Sequence, residues 1–422
     1  MLASLQDILD TVKSNTLTYQ QKLMCLGNIA ERLFDPRELL GYTDEEWQFL
    51  QNQMICDLNE GYAIYRPRYI LPDYNVYIKK GCEFLELPAP KNLDEALDGL
   101  LILYSHVPSI TTFPVYIGRL DMLLDPFITD EEQDYIKIKR FLNHVDKTVP
   151  DSFCHANIGP YDTKAGRLIL KAVIELEAPT PNMTIRYDKS KTSREFAELA
   201  AKACLLVSKP SFANDAYYIS DLGEQYGIAS CYNALPECGG AYTLTRLRLG
   251  TIARACKTVD EMVNELLPRV AKCALSTMDK RHKFVVEESN FFNTSFLEKE
   301  GFIKRTNFTG MFAIVGLADA ANHLLQQEGL NETFGKSQRG DEIATLIMDK
   351  LKEVTDNHEG VYAERTGNRY LLHAQVCASN HEEDKRNAPA HRIRVGEFCT
   401  GQYGIETGEI RYQTAKSGMK KV

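Results

Sequence analysis

The residues of this sequence best suited to chemistry lie close together in an apolar segment, 226–240, which contains Cys231, Glu237 and Cys238. A cysteine in such a segment can act as a nucleophile, a redox thiol or a hydrogen-atom donor, and it is also common as a small buried side chain. Because Pro236 interrupts the segment and two glycines follow Cys238, the sequence predicts a buried loop in which neither helix nor strand persists.

Nucleophilic chemistry at Cys231 would require a neighbouring base or a helix terminus that lowers the pKa of its thiol. None of the nine histidines lies in segment 226–240, and no nucleophile elbow is visible. His155, directly after Cys154, is the obvious base from elsewhere in the chain, with a hydrogen-bonded core histidine as the more frequent alternative. A cysteine-dependent hydrolase or transferase is therefore the least favoured function for Cys231.

Two upstream elements have to position this segment. Residues 181–187, Pro-Asn-Met-Thr-Ile-Arg-Tyr, are typical of a short strand, and the spacing of Thr192 and Glu195 predicts a capping box that opens a helix. Residues 209–215, Lys-Pro-Ser-Phe-Ala-Asn-Asp, then indicate a turn before the cysteine segment. The cysteine segment would thus follow a strand and a helix of an α/β fold.

This order of strand, helix, Pro-x-x-x-Asn-Asp turn and Tyr-x-Ile-x-x-Cys segment resembles the region before the active-site cysteine in glycyl radical enzymes, the class that contains pyruvate formate-lyase and anaerobic ribonucleotide reductase. Residues 112–127 contain Gly-Arg-Leu-Asp followed by Asp-Pro-Phe and look like an early barrel segment of that class, while residues 307–320 are similar to a late one. The resemblance covers roughly residues 80–400 and is closest to the YjjI-type branch.

The resemblance implies that Cys231 becomes a thiyl radical and abstracts hydrogen from a small organic substrate under anaerobic conditions. It also implies a ten-stranded α/β barrel of two five-stranded half-sheets, with the cysteine on a finger loop inside. An enclosed site suits this chemistry because water, oxygen or a stray C–H donor would quench the radical. The substrate-binding candidates, which are equally well internal ion pairs, are Arg119, Asp121, Arg186, Asn214 and Asp215.

The sequence departs from the class around the cysteine. Dehydratase and decarboxylase branches carry Glu two residues after it, where this chain has Asn233, and pyruvate formate-lyase carries a second adjacent cysteine, where this chain has Tyr232. Base-assisted elimination in its familiar form is therefore in doubt. Glu237 is either a substitute carboxylate or a solvated turn residue, and Cys238 is either a second redox thiol or part of the loop packing.

The sequence also departs from the class near its end. Glycyl radical enzymes store the radical in a C-terminal Arg-Val-x-Gly-Tyr loop, whereas residues 394–397 read Arg-Val-Gly-Glu. We therefore expect the radical domain to be missing from this chain and either lost or supplied in trans by another polypeptide. A lost radical would leave a catalytically inactive ligand-binding or interaction protein.

The class further implies a separate activase that uses S-adenosylmethionine and an iron–sulfur cluster to install the radical, with no cofactor bound directly by this chain. The paired Cys-x-x-Cys motifs that anaerobic ribonucleotide reductases usually carry are absent from the sequence. Their absence argues against ribonucleotide reduction, and the substrate cannot be read from the residues.

Composition excludes several other functions. The chain has 422 residues and a formal net charge of −9 from 49 basic and 58 acidic residues, which disfavours a broad nucleic-acid surface. The N-terminus has no basic n-region and no run approaches a membrane span, so we expect a cytoplasmic location without membrane contact. The eleven cysteines include no Cys-x-x-Cys pair, which argues against a metal site and favours free thiols. A homodimer is left open.

The remaining pattern predicts a helical N-terminal region, 1–90, packed on a barrel, 91–390, and followed by a C-terminal tail, 391–422. Residues 241–249 suit a strand, and the apolar residues 311–325 suit a helix inside a large fold. Alternating strands and helices indicate an α/β architecture with a parallel sheet. Helix starts are indicated at Thr18 with Gln21, Asn92 with Glu95, Thr129 with Glu132, Thr258 with Glu261, and at Asp341.

Overall fold

The structure, a computed structural model, describes residues 5–31, 33, 35–56, 64–108, 113–148, 154–229 and 233–374. The strands are β1 (Ile55–Cys56), β2 (Tyr69–Leu71), β3 (Tyr116–Arg119), β4 (His155–Ile158), β5 (Asn182–Tyr187), β6 (Ser211–Asn214), β7 (Tyr226–Ala229), β8 (Asn233–Pro236), β9 (Gly239–Arg248), β10 (Phe308–Val315) and β11 (Leu371–Ala374).

The helices of the first half are α1 (Leu5–Lys13), α2 (Tyr19–Glu31), α3 (Pro36–Leu40), α4 (Asp44–Gln51), α5 (Asn75–Lys80), α6 (Leu93–Tyr104), α7 (Leu120–Leu124), α8 (Glu131–Thr148), α9 (Lys164–Leu176) and α10 (Arg194–Val207). Those of the second half are α11 (Asp215–Leu222), α12 (Leu249–Arg254), α13 (Leu267–Lys283), α14 (Phe291–Thr294), α15 (Phe296–Lys299), α16 (Leu317–Gln327) and α17 (Gln338–Asp356). Short 3₁₀ turns occupy Asp125–Phe127, Arg305–Asn307 and Glu364–Thr366, and π-helical turns occupy Glu261–Leu266 and Phe284–Glu288.

The chain folds into two compact units. The first unit contains the described residues of Met1–Arg68, Ala241–Phe291 and Thr309–Ile405. Its sheet includes the strand order β1-β9-β10-β11, with β1 antiparallel to β9 and β10 parallel to β11. Helices α12, α13, α16 and α17 bury their apolar side chains with this sheet in one continuous core. Burial of such side chains is the main favourable contribution to folding of this unit.

The second unit contains the described residues of Tyr69–Gly240 and Phe292–Phe308. Its centre is a parallel sheet in the order β3-β4-β5-β6, and α8, α9 and α10 lie in the connections between these strands. Strand β4 is buried at every position, as expected for a parallel strand covered on both faces. The predicted α/β class with a parallel sheet is thus confirmed.

The cysteine segment forms a β-hairpin, so the prediction of a loop without strands was wrong. Strands β7 and β8 pair antiparallel from Tyr226 opposite Pro236 to Ala229 opposite Asn233. Pro236 is tolerated because it is the last residue of its strand, where a missing backbone N–H interrupts no ladder. Residues 230–232, including Cys231, connect the two strands and lie outside the described residues. The predicted burial of the flanking segment is confirmed.

The predicted ten-stranded barrel of two five-stranded half-sheets is not confirmed in this detail. The eleven strands of the described residues belong to three separate sheets, and these residues form no closed barrel. The three-part division at residues 90 and 390 stays a prediction. Over the same described part of the chain, no helix has the length and apolar character needed to cross a membrane.

Most of the local predictions agree with the structure. The strands predicted at 181–187 and 241–249 are present, and Asn92 caps α6 by accepting a hydrogen bond from the backbone of Glu95. The helix predicted over 311–325 was wrong, because β10 runs to Val315 and a left-handed Gly316 precedes α16. An apolar run does not by itself distinguish a buried strand from a buried helix.

Two helix starts differ from the prediction by one residue. Ser193, rather than Thr192, caps α10 by accepting a hydrogen bond from the backbone of Phe196. Asp130, rather than Thr129, accepts hydrogen bonds from the first turn of α8. In both places the residue with the better-placed side-chain oxygen is the immediate neighbour of the predicted one.

Candidate functional site

The hairpin lies against β3 and β4 of the parallel sheet in the second unit. One side chain from β4 binds the backbone of the hairpin through two hydrogen bonds. Asn157 Nδ2 donates to the backbone oxygen of Ile228, and the backbone N–H of Ile228 donates to Asn157 Oδ1, both at 2.8 Å. Both residues are buried. Because a carboxamide offers one donor and one acceptor in the same plane, it satisfies both backbone groups of Ile228 as a neighbouring strand would.

We call the end of the hairpin at Tyr226 and Glu237 its foot, and the end at Ala229 and Asn233 its tip. Along a strand the residues rise by about 3.3 Å each, so foot and tip are separated by roughly 10–13 Å. Cys231 belongs by sequence to the connection at the tip. The two ends therefore have to be described separately.

A buried ion pair holds the foot. Arg186 Nε donates to Asp215 Oδ1 at 2.7 Å, and the Tyr226 hydroxyl donates to the same oxygen at 2.8 Å. The Arg186 guanidinium also lies 3.9 Å from the centre of the Tyr226 ring and donates to the Tyr226 backbone oxygen. Burial alone would raise the pKa of Asp215, but the hydrogen bonds from Tyr226 and Arg186 outweigh it and lower the pKa below its ordinary value.

Glu237 also lies at the foot. Its side chain is buried, and the hydroxyl of Tyr116 donates to Glu237 Oε1 at 3.1 Å. The Tyr116 ring packs directly on Gly227, where a Cβ atom would lie 2.7 Å from the Tyr116 Cζ. Burial, together with the charge of Asp73, raises the pKa of Glu237 to about 7 against the opposing effect of Arg119. Glu237 is therefore not the solvated turn residue that the sequence allowed.

Arg119 and Asp121 bind the turn that follows β4. Arg119 Nη2 donates to the backbone oxygen of Gly159 at 3.0 Å, and the backbone N–H of Gly159 donates to Asp121 Oδ2 at 2.6 Å. Asp121 is fully buried, and burial raises its pKa to about 6 although the backbone N–H groups of Gly159 and Met122 partly offset this effect. Arg119 and Asp121, which the sequence suggested as substrate-binding residues, thus make their hydrogen bonds to the backbone of this chain.

The remaining sequence candidates lie in three places: at the surface, in the turn after the foot, and in the core. Asn214 is exposed and caps α11 by accepting a hydrogen bond from the backbone of Tyr217. Cys238 is buried in the turn after the foot, and burial raises its thiol pKa to about 11. Its carbonyl accepts hydrogen bonds from Lys304 and Asn307. His155 is fully buried and its Nε2 lies 2.8 Å from Thr184 Oγ1, which is the core alternative considered above.

Each end of the hairpin has a buried polar atom without a hydrogen-bond partner among the described residues, Asp215 Oδ2 at the foot and Asn233 Nδ2 at the tip. Asn233 faces Ala229 across the hairpin and is 6% exposed. Its Nδ2 is buried and has no hydrogen-bond acceptor among the residues that the structure describes. Cys231 itself, like Arg394–Glu397 of the near-miss radical motif, is outside the described residues. Within that described part no group of three or more His, Cys, Asp or Glu side chains is arranged to hold a metal ion.

Sequence reasoning missed Asn157 and Tyr116. Both are polar residues at fully buried positions of their strands, and a buried polar side chain needs a specific partner. Their partners, Ile228 and Glu237, are 71 and 121 residues away along the chain. Such long-range pairs cannot be read from local spacing.

The architecture is that of a known class of α/β enzymes. A solved structure of the anaerobic ribonucleotide reductase from Thermotoga maritima, with glycerol in its active site, superposes with a TM-score of 0.67 over 95% of this chain and 75% of that chain. The two sequences are 11% identical, so the likeness concerns the fold. The α/β fold with mixed helices and parallel sheets therefore resembles the barrel of the anaerobic reductases.

Sequence comparison identifies the branch. Residues 17–409 match the family described as glycyl radical enzyme YjjI-like. A protein of Haemophilus influenzae is 92% identical over 400 residues, which cover 95% of this chain and 78% of the relative. Escherichia coli YjjI is 41% identical over 389 residues, which cover 92% of this chain and 74% of YjjI. The chain belongs to the YjjI-like glycyl radical enzyme family.

Proposed function

We propose that this chain binds a small organic substrate and abstracts a hydrogen atom from it through Cys231, as the barrel portion of a glycyl radical enzyme. The observation that carries the proposal is the buried hairpin, whose three-residue connection contains Cys231 and whose strands are anchored by Asn157 and by the foot. A rigid, buried support of this kind suits a reactive group that must meet one substrate carbon and no other partner. Family membership supports the same assignment.

Hydrogen transfer at Cys231 is homolytic in this proposal. The substrate C–H bond breaks as an S–H bond forms, which leaves the unpaired electron on carbon, and the reverse transfer returns the hydrogen to the product radical. The glycyl radical of the family supplies the unpaired electron when it is present. Because the reacting form is a thiol or thiyl and not a thiolate, Cys231 needs no base beside it.

The role of Glu237 follows from its position. At the foot it is roughly 10–13 Å along the hairpin from the tip, too far to share a substrate carbon with Cys231. We propose that Glu237, Arg186 and Asp215 position the hairpin, with Arg119 and Asp121 positioning the adjoining turn. Cys238 lies beyond the foot and has a packing role in this proposal.

We propose that the radical glycine belongs to a polypeptide segment outside residues 1–422, whether continuous with them or separate. The sequence printed here contains no Arg-Val-x-Gly-Tyr loop, and a glycine radical requires a position without a side chain so that the flanking amides can delocalise it. An activase that uses S-adenosylmethionine and an iron–sulfur cluster is the partner that would install it. The proposed location of this chemistry is the cytoplasm.

Electron paramagnetic resonance tests this arrangement. Residues 1–422 are incubated anaerobically with the activase, S-adenosylmethionine and reductant, with and without a second polypeptide that carries an Arg-Val-x-Gly-Tyr loop. We expect a glycyl doublet only when the second polypeptide is present. A doublet from residues 1–422 alone that is abolished by Gly396→Ala would contradict the proposal and make the chain sufficient by itself.

A further inference from the structure

A chain of hydrogen-bonded side chains lies in the first unit, which does not contain the hairpin. Tyr370 stands at its centre: its hydroxyl donates to Asp279 Oδ1 at 2.5 Å, and His282 Nδ1 lies 2.9 Å from the same hydroxyl. On one side, His282 Nε2 lies 2.9 Å from Thr243 Oγ1 of β9. On the other, His358 Nε2 lies 3.1 Å from Asp279 Oδ2. The side chains thus form one continuous path for a proton.

The direction of each hydrogen bond follows from the single hydrogen of the phenol. Because Tyr370 gives this hydrogen to Asp279, its oxygen accepts the second bond, so His282 Nδ1 carries a hydrogen. Burial, together with the charge of Arg281, lowers the pKa of His282 well below its ordinary value, so the ring is neutral and its Nε2 accepts from Thr243. The Tyr370 oxygen therefore has a carboxylate that can take its proton and an N–H group that binds the oxygen once the proton has gone.

Two glycines make the space that the Tyr370 ring occupies. A Cβ atom on Gly360 would lie 2.3 Å from Tyr370 Cε1, and one on Gly310 would lie 2.7 Å from Tyr370 Cδ1. The Tyr370 residue is 5% exposed, whereas the side chains of Asp279 and His358 are 38% and 23% exposed. The phenol is thus shielded from solvent and held in one orientation, while the carboxylate that accepts its hydrogen bond reaches the surface.

Other buried tyrosines of this chain bind a different kind of acceptor. The hydroxyls of Tyr74 and Tyr104 donate to the backbone oxygens of Tyr116 and Ile117, which satisfy a phenol but do not act as bases near neutral pH. A backbone oxygen is therefore enough for a tyrosine whose role is packing. The carboxylate and the imidazole N–H on one phenol oxygen indicate a role in which Tyr370 loses its proton.

Loss of the proton requires loss of an electron as well. Burial and the charge of Asp279 raise the pKa of Tyr370, so the phenol keeps its proton near neutral pH. A phenol that loses an electron becomes a strong acid, and Asp279 at 2.5 Å can then take the proton without either side chain moving. Transfer along this existing hydrogen bond avoids a positively charged phenol in a buried place, which favours the oxidation.

We propose that Tyr370 is a redox-active residue that gives one electron to an organic radical as its hydroxyl proton moves to Asp279. The phenol O–H bond breaks, an O–H bond forms on the carboxylate, and Tyr370 is left as a neutral phenoxyl radical whose oxygen accepts from His282. The oxidant gains the electron and, as an anion, takes a proton from water.

The oxidant belongs to the class of radicals that this family employs, since a glycyl radical is an organic radical. A shielded tyrosine of this kind discharges stray radicals at one position instead of many. Tyr370 and its partners all lie in the first unit, so this role is independent of hydrogen transfer by Cys231.

Photo-oxidation of the full chain tests the role of Tyr370 without an activase. Flash illumination of tris(bipyridine)ruthenium(II) with a cobalt(III) acceptor forms ruthenium(III), a one-electron oxidant, and electron paramagnetic resonance of samples frozen after set delays reports tyrosyl radicals. We expect one tyrosyl component to persist about tenfold longer than the rest, because its ring is shielded from water and solutes. This component should be absent from Tyr370→Phe.

The matched control is Tyr362→Phe. The Tyr362 hydroxyl also donates to a carboxylate, that of Glu287, but this bond lies at the surface. We expect the long-lived component to remain in Tyr362→Phe, and the thermal midpoint of each variant verifies that folded chains are compared. A long-lived component that survives in Tyr370→Phe, or that is lost equally in both variants, would overturn the proposal.

Two further measurements address the proton and do not depend on the folding of Tyr370→Phe. Asp279→Asn keeps an oxygen that accepts from Tyr370 but is no base near neutral pH, so we expect the yield of the long-lived radical to fall about tenfold. In the unsubstituted chain, electron–nuclear double resonance should show one hydrogen coupled to this radical that exchanges in D₂O, as the His282 N–H group requires. An unchanged yield in Asp279→Asn, or a long-lived radical without an exchangeable hydrogen, would contradict proton-coupled oxidation of Tyr370.

Discussion

The two ends of the hairpin differ in how their polar groups are used. At the foot, Arg186 and Asp215 are buried and bonded to each other and to Tyr226. At the tip, Asn233 is buried to a similar degree and keeps its Nδ2 without an acceptor among the described residues. The foot therefore holds the hairpin in position, whereas the tip carries the connection that contains Cys231. Substitutions at the two ends should separate these contributions.

The largest effect is expected from breaking the ion pair at the foot. Asp215→Leu leaves the Arg186 guanidinium buried without its partner, and we expect the free energy of unfolding to fall by about 3–5 kcal/mol. Arg186→Met should cost a similar amount. Urea denaturation at pH 7 measures both.

The control for this prediction is the double variant Asp215→Leu with Arg186→Met. Because it leaves no unpaired charge, we expect it to lose less stability than the sum of the two single variants. Additive losses would mean that the pair does not act as a unit and that the foot is held mainly by packing.

The next effect concerns the two hydrogen bonds between Asn157 of the sheet and the backbone of the hairpin. Asn157→Leu removes both partners of the Ile228 backbone, and we expect a loss of about 2–3 kcal/mol. The backbone amide of Ile228 should then exchange its hydrogen faster than in the unsubstituted chain, while β5 amides keep their protection. Unchanged exchange at Ile228 would show that other contacts hold β7.

The predictability of these features from sequence differs between the two ends. The strand 182–187 was predicted correctly because its signals are local: residue type, spacing and β-strand pattern. Cys231 stays a prediction. Asn157 was missed because its partner is 71 residues away. The hairpin was predicted as a loop because proline and glycine usually interrupt strands, whereas Pro236 stands at the end of a strand and the glycines at the start of β9.

Arg186 and Asp215 show a different limit of prediction from sequence. The sequence suggested both as substrate ligands or internal partners, and only the fold brings β5 beside the start of α11 so that they pair at 2.7 Å. Similarly, the barrel implied by the resemblance contained more strand detail than the described residues show. Local elements could be predicted from the sequence, whereas pairing between distant residues could not.

A smaller effect, with a distinct pH dependence, is expected at Glu237. Burial raises its pKa from the ordinary 4.5 to about 7 in the folded chain, so between these values the unfolded state releases a proton that the folded state retains. Stability from this group therefore falls as pH rises from 4.5 to 7 and is constant above. Glu237→Gln keeps an acceptor for Tyr116 and should remove the dependence, so that its advantage over the unsubstituted chain is larger at pH 8 than at pH 5.

Urea denaturation of both proteins between pH 5 and pH 8 measures this difference. Asp215→Asn is the control without a pH dependence in this range, because the pKa of Asp215 is lowered from its ordinary 3.8 and the stability that this carboxylate contributes is lost only as pH falls below that value. A constant difference between Glu237→Gln and the unsubstituted chain across the range would show that Glu237 does not titrate there.

The smallest effect on stability is expected at the tip. Cys231→Ala should change the free energy of unfolding by about 1 kcal/mol or less, because it removes one small group whose proposed role is hydrogen transfer and not packing. Thermal unfolding of this variant beside Asp215→Leu compares tip and foot directly. A loss at Cys231 as large as at the foot would favour a packing role for this cysteine.

Hydrogen exchange at the glycyl radical reports directly on hydrogen-atom transfer by Cys231. When the radical is reconstituted in D₂O with a second polypeptide, the Cys231 thiol exchanges its hydrogen for deuterium, and reversible transfer then places deuterium on the glycine Cα. We predict that the doublet from the Cα hydrogen collapses to a singlet in the unsubstituted chain and in Cys238→Ser, and that it persists in Cys231→Ser. A doublet that collapses equally in Cys231→Ser, or that persists in the unsubstituted chain, would contradict hydrogen-atom transfer by Cys231.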